Sequence, residues 1–81
     1  MNDSHRAEAP NVEVTVWVGK AGLEAVTDEL DDQLADRELV KVKFLRAARG
    51  SKETDELAVD LADRVDAELV ETRGNTAVYH R

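Results

Sequence analysis

Valine occupies every second position from Val12 to Val18, and no other feature of the chain restricts its fold as strongly. An apolar residue at every second position is the pattern of a β-strand with one buried face. From Leu23 to Asp36 the apolar residues recur at helical spacing instead, which predicts an amphipathic helix of about four turns. The fold is therefore expected to begin with a strand that leads directly into a helix.

The two periods repeat in the middle of the chain. Residues 39–45 alternate again, which predicts a second strand with Lys41 and Lys43 on the face away from the helices. A loop is predicted over residues 47–52, because small residues and a glycine follow one another there. An apolar stripe from Leu57 to Val65 then predicts a second helix.

The end of the chain has the pattern of a hairpin. Before this hairpin comes the second helix, whose expected N-cap is Ser51 or Thr54. After that helix, residues 67–72 and 76–80 are predicted to be short strands, and the Gly-Asn pair between them is favoured in tight hairpin turns. The predicted element order is thus β-α-β-α-β-β.

This order limits the architecture. Because strands that alternate with helices are joined by right-handed crossovers, both helices should cover one side of a mixed sheet, and the other side should stay exposed. A chain of 81 residues has room for one core. We therefore expect a two-layer α/β (α+β) fold with a single domain over residues 12–81, preceded by a disordered lead-in over residues 1–11.

A Gly-x-x-Gly turn lies where the first strand passes into the helix, and it consists of Gly19, Lys20, Ala21 and Gly22. Neither glycine has a Cβ, so the backbone can pass close to another molecule, and the amides that begin the following helix are free to bind an anion. Lys20 adds a positive charge at the apex. The turn therefore favours a phosphate of a nucleic acid as ligand, although glycines at such a turn also serve simply to reverse the chain.

The chain has a net charge of −7, yet its charges are segregated. Six acids and no bases lie between Glu24 and Asp36, and eight acids with one base lie between Glu53 and Glu71. Residues 37–52 reverse this balance with six bases and one acid. Such segregation is expected when one surface meets phosphate and the rest meets solvent. The acid surplus itself, with more arginine than lysine, resembles the halophilic composition of proteins from a salt-filled cytoplasm.

Other classes of function have little support. No apolar run approaches the ~20 residues that span a bilayer, so no membrane partner is expected. The absence of cysteine excludes disulfides and thiolate metal sites and suits a cytoplasmic protein. His5 and His80 are far apart, so we expect neither a metal nor a cofactor. No serine has a histidine and a carboxylate at a relay spacing, so we expect a non-enzyme.

Three motifs follow one another along the chain. The first is the run from Val16 to Leu23 around the Gly-x-x-Gly turn, the second is residues 38–43, and the third is Leu69-Val70 followed by Gly74, Val78 and Arg81. Together they resemble the YhbY or CRM domain family of RNA-binding proteins, from the first strand to the last residue. Each motif is weak alone, but the three in this order are specific.

The resemblance implies a fold similar to the C-terminal domain of bacterial translation initiation factor three, with a four-stranded mixed sheet whose last strand lies antiparallel in the interior. It implies RNA binding through residues 19–22 and through Lys41 and Lys43, and association with pre-ribosomal large subunits in stand-alone prokaryotic members. Three residues depart from the family: Glu24 replaces a threonine or serine, His80 takes the position of a common tyrosine, and Arg73 occupies a position that is commonly apolar. No counterpart of the family's preceding basic helix is recognisable in residues 1–11.

The favoured hypothesis is a monomeric RNA-binding protein that contacts structured ribosomal RNA during assembly of the large ribosomal subunit. In it, residues 19–22 bind the RNA backbone, and Trp17 is either a base-stacking residue or a rim residue of the core. Five bases extend the surface: Lys41, Lys43, Arg46, Arg49 and Arg81. The alternative is a protein-interaction module whose acidic helices dock a basic protein, such as a ribosomal protein, with the loop serving only as a turn. The sequence leaves the identity of the RNA open.

Overall fold

The computed structural model describes residues 12–50 and 52–81. The strands are β1 (Val14–Val18), β2 (Val40–Phe44), β3 (Glu68–Arg73) and β4 (Thr76–His80). The helices are α1 (Thr27–Asp36), α2 (Arg46–Arg49) and α3 (Thr54–Val65), and a 3-10 helix (Leu23–Val26) precedes α1. The expected lead-in over residues 1–11 and the candidate N-cap Ser51 lie outside the described residues.

The four strands form one mixed sheet in the order β1-β2-β4-β3. β1 and β2 are parallel, whereas β4 is antiparallel to both β2 and β3. The last strand therefore lies antiparallel in the interior of the sheet, as the resemblance implied. The two-layer α+β prediction with a four-stranded mixed sheet is confirmed.

The main core lies between the helices and one face of the sheet. The alternation in β2 buries Val40, Val42 and Phe44 on this face, and it leaves Lys41 and Lys43 half-buried on the opposite one. The 3-10 helix, α1 and α3 pack their apolar stripes against the same face with Leu23, Val26, Leu30, Leu34, Leu57 and Leu61. All of these helical segments thus cover one side, and the face that carries the two lysines is termed the open face.

The valine alternation of β1 changes phase near the start of the strand. Val14 is paired with Lys41 of β2. Val16 is paired with Val42, so the register shift falls on Thr15. A bulge inserts one extra residue and thereby reverses which face the preceding residues occupy. The prediction that all the alternating valines share one buried face is therefore wrong before Thr15.

The open face is partly covered at the end of the sheet where β2 begins. Leu39, Val70 and Val78 form a small buried cluster, and Val12 packs against it. Val78 is paired with Lys41, which places the cluster on the lysine side of the sheet. The expectation of a wholly exposed second face is therefore corrected: only the other end of this face is open.

The starts of the helices differ from the sequence predictions. The segment from Leu23 begins as the 3-10 helix, and the α-helix starts only at Thr27. Part of the predicted loop forms the single helical turn α2. Thr54 is not an N-cap, because it is already the first residue of α3 and is buried there. Glu53 occupies the cap position, and its side chain makes no capping hydrogen bond.

Tyr79 of β4 anchors α3 to the sheet. Its side chain is fully buried, and the hydroxyl donates to the Ala58 carbonyl oxygen at 2.8 Å. Burial raises the pKa of the Tyr79 hydroxyl above its ordinary value, which keeps it in the protonated form that can donate. Across the part of the chain that the structure describes, no helix combines the length and hydropathy needed to cross a bilayer.

Candidate nucleic-acid interface

The Gly-x-x-Gly loop is a tight turn with exposed central residues. The Gly22 amide donates to the Gly19 carbonyl oxygen at 3.0 Å, which closes the turn. Lys20 and Ala21 are exposed, and the two glycines are half-buried. The loop is therefore accessible to a ligand that approaches from solvent.

The two glycines differ in what the fold requires of them. Gly22 has φ 85° and ψ −173°, a backbone conformation that is essentially restricted to glycine. Gly19 has no positive φ, and a Cβ there would meet only Leu45 Cδ1 at an ordinary contact distance of 3.9 Å. Chain reversal thus accounts for Gly22. It does not account for Gly19, where an alanine would fit the fold.

The segment after the loop is a 3-10 helix of four residues rather than the start of a long α-helix. So short a segment aligns few peptide dipoles, so the helix-end attraction for an anion that the sequence suggested is weak here. Glu24 is exposed in its first turn. Lys20 and the amides of the turn itself are therefore the groups that would attract phosphate, and Glu24 would oppose them.

Two other segments meet the loop at the same end of the sheet. The Leu45 amide donates to the Val18 carbonyl oxygen at 2.9 Å, and the Phe44 amide donates to the Asn75 carbonyl oxygen at 2.7 Å. These bonds hold the α2 segment between the Gly-x-x-Gly loop and the β3–β4 turn. The surface formed by residues 19–22, 45–50 and 73–75 is termed the loop end.

The loop end brings together bases that are distant in sequence. Arg46 of α2 is exposed and Arg49 is half-buried. The Nε of Arg49 is buried and has no hydrogen-bond partner among the described residues, so its guanidinium keeps unused donor capacity. With Lys20 and Arg73, these residues place four cations around one end of the sheet.

A row of four paired residues crosses the open face next to the loop end. Trp17 of β1 is paired with Lys43 of β2. Lys43 is paired with Thr76 of β4, and Thr76 is paired with Arg73 of β3. Residues that are paired in this way point to the same face, on strands about 4.8 Å apart. This cross-strand row (Trp17, Lys43, Thr76 and Arg73) contains two cations, one aromatic ring and no acid.

Arg73 was noted in the sequence only as a departure from the family and was not placed in the site. The signal that could have found it is the two-residue turn at Gly74 and Asn75. Gly74 has φ 58°, which suits the first central position of a two-residue hairpin. Such a turn pairs residue 73 with residue 76, and it thereby brings Arg73 to the lysine face.

The Trp17 ring is not part of the core. The residue is 54% exposed, and the ring belongs to its side chain. Within residues 12–50 and 52–81 it makes no hydrogen bond and no ring contact. Trp17 is therefore not a buried core residue, and part of the residue is exposed at the surface beside the loop.

Two of the predicted site residues lie away from the loop. Lys41 is on the open face but one row farther along, beside Val78. Arg81 follows β4 at the opposite end of the sheet. Its guanidinium contacts the Asp31 carboxylate of α1 and donates to the Val65 carbonyl oxygen at the end of α3. The structure thus gives Arg81 a role in joining two helices and does not bring it to the loop end.

The acids of α1 lie on the other side of the sheet. The carboxylates of α1 are exposed, and the helix packs on the sheet face opposite the cross-strand row. Among the described residues, no three histidine, aspartate or glutamate side chains form a group that could hold a metal ion. The separation of charge is partial, because Glu53 and Asp55 line one pocket with Arg49 and Gly74, and Arg81 is paired with Asp31.

Known proteins share both the sequence pattern and the fold. A family model described as the CRS1 / YhbY (CRM) domain matches residues 2–81. A protein of Methanocaldococcus jannaschii, named as a probable RNA-binding protein, is 43% identical over 76 residues. That match covers 94% of this chain and 57% of the relative, so the chain spans little more than half the relative's length. The solution structure of a hypothetical Staphylococcus aureus protein proposed to bind RNA has a TM-score of 0.80 and 32% identity, over 98% of this chain and 81% of that one.

Proposed function

Because this chain belongs to the CRS1/YhbY (CRM) domain family, we propose that it binds RNA and that the loop end is its RNA-binding surface. One observation supports the choice of surface above others: position 19 is a glycine although neither its backbone nor its surroundings require one. A phosphate group that approaches the bare backbone at Gly19 accounts for the missing side chain.

The charges of the loop end fit this ligand. The amides of the exposed residues Lys20 and Ala21 can donate to phosphate oxygens, while the Gly22 amide closes the turn. Lys20, Arg46 and Arg49 supply positive charge around them. Contacts of this kind fix the position of the RNA backbone and carry no base sequence information. Recognition at the loop end is therefore directed at the shape and charge of the backbone.

We further propose that the RNA is structured ribosomal RNA and that the protein acts during large-subunit assembly, as a monomer, in the cytoplasm and without catalysis or a cofactor. The composition suits a salt-rich cell, where charge alone binds RNA weakly. Each phosphate contact on a single strand contributes a slope of about −0.7 to log affinity against log salt. Hydrogen bonds from the turn amides would then carry much of the affinity.

A substitution at Gly19 tests this function. Gly19→Ala should weaken binding to large-subunit ribosomal RNA fragments by about tenfold, which corresponds to the loss of one charge-assisted hydrogen bond of ~1.5 kcal/mol. Its melting temperature should stay close to that of the parent protein, because the added Cβ has room. Fluorescence anisotropy with labelled RNA and a thermal melt measure the two effects.

Gly22→Ala is the matched comparison. Its backbone conformation disfavours any side chain, so the free energy of unfolding should fall by about 1–3 kcal/mol. A Gly19→Ala protein that is folded and binds RNA as tightly as the parent would contradict the proposed surface. Crosslinking in cells followed by sequencing of the attached RNA tests the ribosomal assignment separately.

A further inference from the structure

We propose that the cross-strand row binds an unpaired RNA nucleotide, with its base stacked on Trp17 and neighbouring phosphates on Lys43 and Arg73. The inference rests on the proposed RNA-binding function of the loop end. It adds the class of RNA that is recognised: a single-stranded segment, a loop or a bulge within a structured RNA, rather than a continuous duplex.

Trp17 is largely exposed and lies close to the Gly-x-x-Gly loop. A tryptophan contributes a large apolar area when it packs, and this residue is 54% exposed. No described residue contacts the ring through a hydrogen bond or a ring interaction. Trp17 precedes Gly19 by two residues of nearly extended chain, about 7 Å. The exposed part of Trp17 thus lies next to the backbone proposed to hold phosphate.

The charged residues in the same row as Trp17 are positive. Lys43 is the direct neighbour of Trp17, and Arg73 is exposed at the far end of the same row. The first acid along this face is Glu71, which is opposite Val78 in the next row. A planar ring with one cation on the adjacent strand and a second at the far end of the same row, with no acid in the row, is complementary to a base and its phosphates.

The geometry of RNA helices restricts which bases can stack on Trp17. Inside a duplex, each base is stacked on its neighbours and hides both faces, so an aromatic side chain on a sheet surface cannot stack on it. Unpaired bases present a free π-face of any sequence. A stacking platform beside a phosphate-binding turn therefore favours unpaired nucleotides over paired ones.

Tryptophan fluorescence tests the inference directly, because Trp17 is the chain's single tryptophan. Titration with a single-stranded oligonucleotide should quench the emission, whereas a duplex that contains the same strand should leave it nearly unchanged. Trp17→Ala should weaken single-strand binding on the order of tenfold. It should leave duplex binding within a factor of about two, and Trp17→Phe should recover most of the loss because the ring still stacks.

One variant serves as a control, and a second tests the cation beside the ring. Val59→Ala removes a side chain that is equally exposed, at 53%, on the acidic side of the molecule, and it should leave binding unchanged. Lys43→Gln should reduce the slope of log affinity against log salt by about 0.7, as expected for one phosphate contact on a single strand.

The outcomes separate this inference from the proposed function. If no RNA binds, the proposed function fails. If RNA binds in a manner that depends on Gly19 while Trp17→Ala binds single strands like the parent protein, only the present inference fails. A ring that is already shielded from iodide in the free protein, or whose emission changes with protein concentration, would also overturn it. In those cases another part of the chain or a second copy would occupy the row.

Discussion

Glu24 follows the Gly-x-x-Gly loop closely, and it is exposed in the first turn of the 3-10 helix. No cation among the described residues is paired with it. A carboxylate at this position repels an approaching phosphate, and water and salt weaken that repulsion. Removing the negative charge of Glu24 should therefore improve RNA binding.

Glu24→Gln should tighten RNA binding about threefold in low salt, which corresponds to ~0.6 kcal/mol for one exposed charge. The gain should shrink as salt is added, because the charge is at the surface. Anisotropy titrations at several salt concentrations measure it. Asp32→Asn, which removes an exposed charge of α1, is the control. Equal gains in both variants would mean that overall charge, and not the loop, decides the affinity.

The sequence predicted which residues form the loop but not how each one contributes. The letters Gly-x-x-Gly do not distinguish a glycine required by the backbone from one that is not. That distinction came from the φ and ψ of Gly22 and from the space beside Gly19. Arg81 was included as a base, but its contact with Asp31 depends on a partner fifty positions away in the chain. Such contacts are set by the tertiary fold and leave no local pattern.

At the scale of the elements, periodicity predicted the strands and helices, and it failed where two geometries share a spacing. Leu23 and Val26 are three residues apart, which suits a 3-10 helix as well as an α-helix. The bulge in β1 was also hidden from the sequence. There the Thr15 hydroxyl donates to the Gln33 side-chain carbonyl oxygen at 2.6 Å, a bond to α1 that alternation cannot reveal.

The end of α3 offers a prediction about stability. Asp66 ends the helix in the left-handed conformation with φ 53°, and the next amide, of Ala67, donates to the Ala62 carbonyl oxygen at 3.0 Å. Glycine adopts this conformation without the steric cost that a side chain adds. Asp66→Gly should therefore raise the free energy of unfolding by about 0.5–1 kcal/mol, measured by urea denaturation.

Asp63→Gly is the comparison for that variant. Asp63 is exposed inside the same helix, where glycine is less favourable than aspartate by about 0.3 kcal/mol. The two substitutions remove the same side chain and charge, and they should act in opposite directions. Destabilisation by both would show that the conformation of Asp66 is not the limiting feature of this helix end.

At the scale of the whole molecule, the separation of charge distinguishes the two functions considered. The acids of α1 and α3 cover one side, and the cross-strand row crosses the other. If the protein binds RNA, the acids act as a solvated surface that lowers affinity at long range. If it is a module that docks a basic protein, the same acids are the binding surface.

A combined variant, Asp28→Asn with Asp32→Asn and Asp60→Asn, separates these two cases. RNA binding should be unchanged or up to about threefold tighter in low salt, because the removed charges are exposed acids outside the loop end and are screened. Pull-down of basic ribosomal proteins should be unaffected. If the parent protein binds both RNA and a basic protein, and the combined variant loses only the basic protein, then the acids bind a second partner. Loss of RNA binding by the combined variant would contradict the proposal that RNA binds at the loop end and not at the acidic helices.

The interior position of β4 also bears on how the domain is made. β2 and β3 have no bond to each other, and each depends on the strand that follows both of them in the chain. During synthesis, β1 and β2 can pair early, but the edge of β2 stays open to other polypeptides until β4 emerges from the exit tunnel. A ribosome that stalls before Thr76 would thus expose β1 and β2 with an unpaired edge that other polypeptides can bind. The nascent chain loses this open edge only when β4 pairs with β2.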